Sequence, residues 1–194
     1  AIRPLFSATL RREVQIISTC LSWDGKNDPD VLSLLGASLS LGISDIPWNG
    51  PVAAIRVGRV NETFILNPTY EQRTQGDMDF VVAGVKNLPA GKAGNNELLI
   101  NMIEGSANEL PEEVFQKALE FVKPYLLQLI EFQEKLLFEV GKEKTEIEKT
   151  ALDPALEAEM KQLIGDRLEK ALFAGDKKTR MWLVDALKDE LVLA

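Results

Sequence analysis

From Asn49 to Val85 the chain spells out strands separated by chain-reversing residues, and this pattern commits it to a sheet that folds back on itself. Asn49-Gly50-Pro51 supplies turn chemistry. Val52–Val60 alternates as a half-buried strand does, Asn61-Glu62 stands where a hairpin reverses, and Thr63–Leu66 pairs back. Asn67-Pro68 begins a loop or helical turn through Gln75, and Met78–Val85 reads as a further strand. Upstream, Glu13–Trp23 is rich in Val, Ile, Thr and Leu and predicts one more strand. Between them, Asp28 is placed to cap a helix with Pro29 at its first position. Val31, Leu34, Leu35, Leu39 and Ile43 recur at helical spacing to an end near Gly42. So apolar a helix is expected between layers.

Lys86–Asn96, with its glycines and Pro89, reads as an exposed loop before a strand at Leu98–Glu104. Leu110–Val140 then predicts a long helix. Pro111 suits the first helical position, and Glu112 and Glu113 complement the positive end of the helix dipole. Val114, Ala118, Phe121, Tyr125, Leu129, Phe132 and Leu136 form the expected buried stripe. Pro124 is expected to kink or split the helix, and Gly141 to end it. The polar run Lys142–Thr150 is the best linker candidate. Asp153 and Pro154 start another helix, with Leu156, Met160, Leu163, Ile164, Leu168 and Leu172 recurring along it. Gly175-Asp176 breaks the chain before a last helix from about Lys178 to Leu193. The fold class expected is α+β in the order β-α-β-β-β-β-α, followed by an all-α segment.

Charge and composition exclude several chemistries. The chain has 22 Lys/Arg against 30 Asp/Glu and no histidine, with a net charge of −8. Residues 1–60 hold six Lys/Arg and five Asp/Glu, whereas residues 61–194 hold 16 and 25. An acidic body disfavours broad phosphate binding, so any contact with a phosphate backbone is expected to be local and in the first third. Lack of histidine removes Ser-His-Asp and Cys-His catalysis and histidine zinc ligands. The single cysteine, Cys20, cannot form an intramolecular disulfide and fits a reducing compartment. Within the apolar run QIISTCL it is expected to be a buried small hydrophobe. No apolar run approaches the ~20 residues of a membrane-spanning helix.

Three segments together resemble the first core domain of the polynucleotide phosphorylase family: SDIPWNGPVAAIRVGRV (Ser44–Val60), LNPTYEQ (Leu66–Gln72) and GDMDFVVAG (Gly76–Gly84). IRPLF (Ile2–Phe6), EVQII (Glu13–Ile17) and NDPDVLSLLGAS (Asn27–Ser38) extend the likeness, which is tight from residue 2 to about residue 84 and looser beyond. The resemblance implies an RNase PH-like mixed sheet packed by helices, in a phosphorolytic 3′–5′ exoribonuclease, or polyribonucleotide nucleotidyltransferase. Such an enzyme carries two cores joined by a helical linker, followed by KH and S1 RNA-binding domains. It implies an upstream half of this core before Ala1, a partial core at 1–141, a linker at 142–152 and a partial helical domain at 153–194. It further implies Mg²⁺ and inorganic phosphate for the whole enzyme and none held here. RNA as substrate, a homotrimeric ring, degradosome-type partners and a cytoplasmic or organellar location also follow from it.

In that family the catalytic core carries Asp-x5-Asp-x-Lys where this chain has Arg73, Asp79 and Val81. A guanidinium cannot ligate Mg²⁺ and a valine cannot neutralise a phosphate, so a vestigial site at Arg73, Asp77 and Asp79 is expected, with no catalytic residue. Asp77 and Asp79 share a strand face by spacing, but no third ligand follows, so no metal site is assigned. Arg73 either contacts phosphate or pairs with Asp79 or Asp77, and the acids nearby favour the ion pair. Arg3, Arg11 and Arg12 are the RNA-contact candidates; Arg3 could equally bond backbone carbonyls, and Arg11 and Arg12 could simply be solvated. Arg56 and Arg59 are expected on opposite strand faces. Trp48 either stacks on a base or packs at a subunit interface with Ile46 and Pro51. Two functions stand: a non-catalytic core of the two-core enzyme, giving trimer scaffold and RNA guidance, or a stand-alone scaffold subunit of an exosome-type ring. The helical tail after Asp153 favours the first.

Overall fold

The structure is a computed structural model describing residues 1–8, 10, 12–86, 98–146 and 153–193. It divides into two compact units, Ala1–Ile147 and Glu148–Ala194.

The first unit is built on four strands, β1 (Val52–Val60), β2 (Thr63–Leu66), β3 (Met78–Val85) and β4 (Leu99–Ala107), in the spatial order β2-β1-β3-β4. Every pairing is antiparallel, so the α+β class holds while the sheet is not mixed. The hairpin forms as its residues dictate: Val60 faces Thr63, and Asn61 and Glu62 take φ of 48° and 62°. Two positive φ values give the chain reversal whose twist matches the strands it joins. Central β1 is buried along most of its length, because a strand with helices on both faces has no solvent side.

One face of the sheet, through Ala53, Ile55, Val57, Met78 and Val82, packs on α3 (Glu112–Val140). The other, through Val52, Ala54, Ala83 and Val85, packs with Leu41 of α1 (Asp30–Ile43), Trp48 and Leu5. A buried polar knot ties the three layers where β1 begins. The Ser38 hydroxyl donates to Gln133 Oε1 at 2.6 Å and accepts from Val52 N–H at 3.1 Å, and Gln133 Nε2 donates to the Val52 carbonyl at 3.0 Å.

Several expectations are corrected. Glu13–Trp23 forms no strand: among the described residues the sheet is made of β1–β4 alone. The observed order of the first unit is therefore α1-β1-β2-α2-β3-β4-α3, with α2 at Tyr70–Gln75. Cys20 lies in that unpaired segment and is exposed, not buried. Pro29, not Asp28, is the cap of α1, and only one side of that helix is covered: Leu32 remains 70 % exposed. Pro111 likewise caps α3 instead of opening it. The α3 helix runs unbroken through Pro124, because the ladder on either side and its packed face carry one missing bond. Its buried residues are Ala118, Val122, Leu126, Ile130 and Gln133, a stripe turned by about one residue from the expected one, and Phe132 is exposed. The loop at Lys86–Asn96 lies, apart from Lys86, outside the described residues.

The second unit consists of α4 (Pro154–Ile164), α5 (Arg167–Leu172) and α6 (Lys177–Leu193). Asp153 caps α4, its side chain accepting from Ala155 N–H at 2.9 Å. The single helix expected through Leu172 is cut at Gly165, whose φ of +47° suits glycine and not an L side chain. Arg167 and Glu190 join α5 to α6 by a two-pronged ion pair. That pairing raises the Arg167 pKa and lowers the Glu190 pKa from their ordinary values.

Candidate functional site

The Asp79 carboxylate sits at the centre of an ion-pair knot drawn from four parts of the first unit. Register places Asp79 opposite Gly58 of β1, one residue on from Val57 and diagonal to Arg56. Arg56 Nη1 donates to Asp79 Oδ1 at 2.7 Å, and Arg73 Nε, from α2, donates to Asp79 Oδ2 at 2.7 Å. The loop and first turn of α1 add two acids. Arg56 Nη2 reaches Asp30 Oδ2 at 2.5 Å and Asp28 Oδ2 at 3.5 Å, and Arg73 Nη1 donates to Asp28 Oδ2 at 2.9 Å. Arg73 also stands over the Tyr70 ring, 5.3 Å from its centroid, and Trp23 meets Tyr70 edge-on.

Local sequence sets up each part. Thr69 and Gln72 form a reciprocal capping box that starts α2 and so aims Arg73 back at the sheet. Asn67, at φ 46°, exchanges bonds with the Arg56 backbone: its side-chain oxygen accepts from Arg56 N–H, and its own N–H donates to the Arg56 carbonyl. Arg56 is only 9 % exposed, and its Nε has no partner among the described residues. Burial works against its positive charge, yet the hydrogen bonds it donates to Asp79 and Asp30 outweigh that cost and hold its pKa above the ordinary value.

The knot borders a cleft of about 480 Å³ that is also lined by Val81, Met102, Glu104 and Ser106. Its chemistry does not suit a divalent ion. Both Asp79 oxygens are taken by guanidinium donors, so a cation would have to break two charge-assisted bonds to gain one carboxylate. Nor does it suit phosphate: three aspartates meet two arginines, and Glu104 adds a further acid at the rim. The arrangement holds α1, α2, β1 and β3 together.

Of the residues singled out from sequence, Arg73 and Asp79 are brought together, while Asp77 is not part of the knot. It stands one residue before β3 and pairs at 3.3 Å with Arg59. Arg56 and Arg59 do diverge, to different acids. Arg3 is exposed in a short 3-10 turn (Arg3–Leu5), Arg12 is exposed, and Arg11 lies outside the described residues. Trp48 is not at a surface but 5 % exposed, donating to the Ile2 carbonyl at 3.2 Å and packed beside Phe6. A side chain buried by its own chain cannot stack on a base or face a subunit. Sequence spacing offers Asp28 as a helix cap and Arg56 as a strand residue, and does not single out Asp30; only the pairing of β1 with β3 sets Arg56 beside Asp79.

Residues 50–123, from the turn before β1 into α3, match the 3′ exoribonuclease family, domain 2. Along nearly its whole length the chain is similar to proteins named polyribonucleotide nucleotidyltransferase. The Geobacillus kaustophilus protein is 42 % identical over 187 residues, covering 96 % of this chain and 24 % of that protein. The Bacillus subtilis protein is 38 % identical over 191 residues, covering 98 % and 26 %. That of Sulfurihydrogenibium sp. is 42 % identical over 190 residues, again covering 98 % and 26 %. The chain spans about a quarter of the length of the curated relatives it matches.

Proposed function

We propose that this chain is a segment of a phosphorolytic 3′–5′ exoribonuclease, a polyribonucleotide nucleotidyltransferase, and that it forms a core without catalytic residues. Its role is to scaffold a trimeric ring and guide RNA toward an active site elsewhere in the polypeptide. Mg²⁺ and inorganic phosphate serve that other site. The observation that carries this reading is the state of Asp79, whose two oxygens are each held 2.7 Å from an arginine. A carboxylate so engaged is a structural counter-ion, not a metal ligand. Similarity running on through the helices after Asp153 favours this reading over a stand-alone exosome-type scaffold. Degradosome-type partners and a cytoplasmic or organellar location belong to the same proposal. Among the described residues, no helix is long and apolar enough to cross a membrane.

The test is to incubate the purified chain with poly(A), Mg²⁺ and phosphate and to follow nucleoside diphosphate release. No release above a protein-free blank is expected. Phosphate-dependent release that disappears in Asp79→Asn would refute the proposal.

A further inference from the structure

The chain leaving α3 does not run free. Gly141 ends the helix, and Lys142–Thr145 then lies against the C-terminal end of α1 as a strap. Its backbone is pinned twice, by Lys142 N–H to the Ile43 carbonyl at 3.1 Å and by Thr145 N–H to the Asp45 carbonyl at 2.8 Å. Between those points the Lys144 ammonium donates to three carbonyls, Leu41 and Gly42 at 2.8 Å and Ser44 at 2.6 Å. The last turn of a helix leaves its carbonyls without intrahelical donors and carries partial negative charge. An ammonium has three donors and no acceptor, so it matches this cradle in number and in sign. The α1 helix has no basic residue of its own in its last turn, and Lys144 supplies the missing cation from a distant part of the chain.

We propose that Lys144 is a latch whose single charge holds the segment leaving α3, Lys142–Thr145, against the C-terminal end of α1. With the latch open, Lys142–Thr145, a segment on the order of 13 Å long at ~3.3 Å per residue, is released from the end of α1. Charge removal at a single side chain is enough to open it, because a neutral side chain cannot satisfy three helix-end carbonyls. Burial already depresses the Lys144 pKa from its ordinary value, which reflects the water the ammonium gave up for those carbonyls.

Amide hydrogen exchange on the whole chain tests the latch with Lys144→Met, which keeps the aliphatic stem and removes the donors. Exchange at Lys142 and Thr145 is expected to accelerate about tenfold or more, while the amides of Ala53–Val57 in β1 keep their protection. Unchanged protection at Lys142 and Thr145 overturns the proposal. So does a loss that spreads into β1, because Lys144 would then support the core in general. Should the variant fail to fold, the ammonium protons of the native protein can be followed directly by ¹⁵N NMR. Slow exchange of the Lys144 Nζ protons supports the latch, and exchange as fast as that of an exposed lysine overturns it.

Discussion

Replacing Gln133 with leucine should be among the most damaging single changes in the first unit, although it swaps a polar residue for an apolar one of similar size inside a core. Gln133 and Ser38 are both fully buried. The change deletes the acceptor of the Ser38 hydroxyl and the Nε2 donor to the Val52 carbonyl. Leaving a buried polar group without a partner costs about 1–3 kcal/mol. Two groups are stranded, but the hydroxyl can rotate and the leucine gains some burial, so the net loss is expected at about 2–4 kcal/mol. Ser38→Ala strands the Val52 amide and Gln133 Oε1 and should cost a similar amount. Because both variants delete the same Ser38–Gln133 bond, the double variant should cost about 1–2 kcal/mol less than their sum. Urea denaturation followed by tryptophan fluorescence is the assay, since Trp48 is buried in this unit while Trp23 and Trp182 are exposed. A Gln133→Leu protein as stable as the parent, or strict additivity of the two changes, would refute the idea that this knot joins the layers.

Three other outcomes follow from the geometry. Gly105→Ala should destabilise by roughly 1–3 kcal/mol through overpacking, measured in the same denaturation, because an added Cβ would stand 2.1 Å from the Asp79 carbonyl oxygen. Asp24 accepts from the amides of Lys26 and Asn27 at 2.8 Å, and its pKa is lowered from 3.8 to about 2, chiefly by the Asn27 amide. Its support of the loop is therefore complete above pH ~4 and is lost as pH falls through about 2. A carboxyl ¹³C titration should find its midpoint near the lower value, and a midpoint near 4 would contradict the turn. Exposed Arg3 is expected to meet phosphate. Arg3→Ala should weaken oligo(A) binding and reduce the salt slope by about 0.7, the value for one single-strand phosphate contact, and unchanged binding would remove it from the interface.

Much of the architecture was legible because its causes are local. Asn61 tolerates the positive φ that a hairpin reversal needs, Gly141 ends one helix, and Asp153-Pro154 starts another. The periodicity of α3 revealed a helix but not its rotation. Phe132 outranks Gln133 on any apolar scale, yet the partners that draw Gln133 inward are 81 and 95 residues away in the chain. Glu13–Trp23 has strand composition, but composition cannot provide a neighbour for its backbone.

The same division governs the site. The sequence by itself determined that Asp79 has an arginine six residues before it and a valine two residues after it. Only the tertiary structure decided what Asp79 does. The β1–β3 register and the entry of α1 bring Arg56, Asp28 and Asp30 to it, and a charge buried among such partners answers to distance in space, not to spacing along the chain.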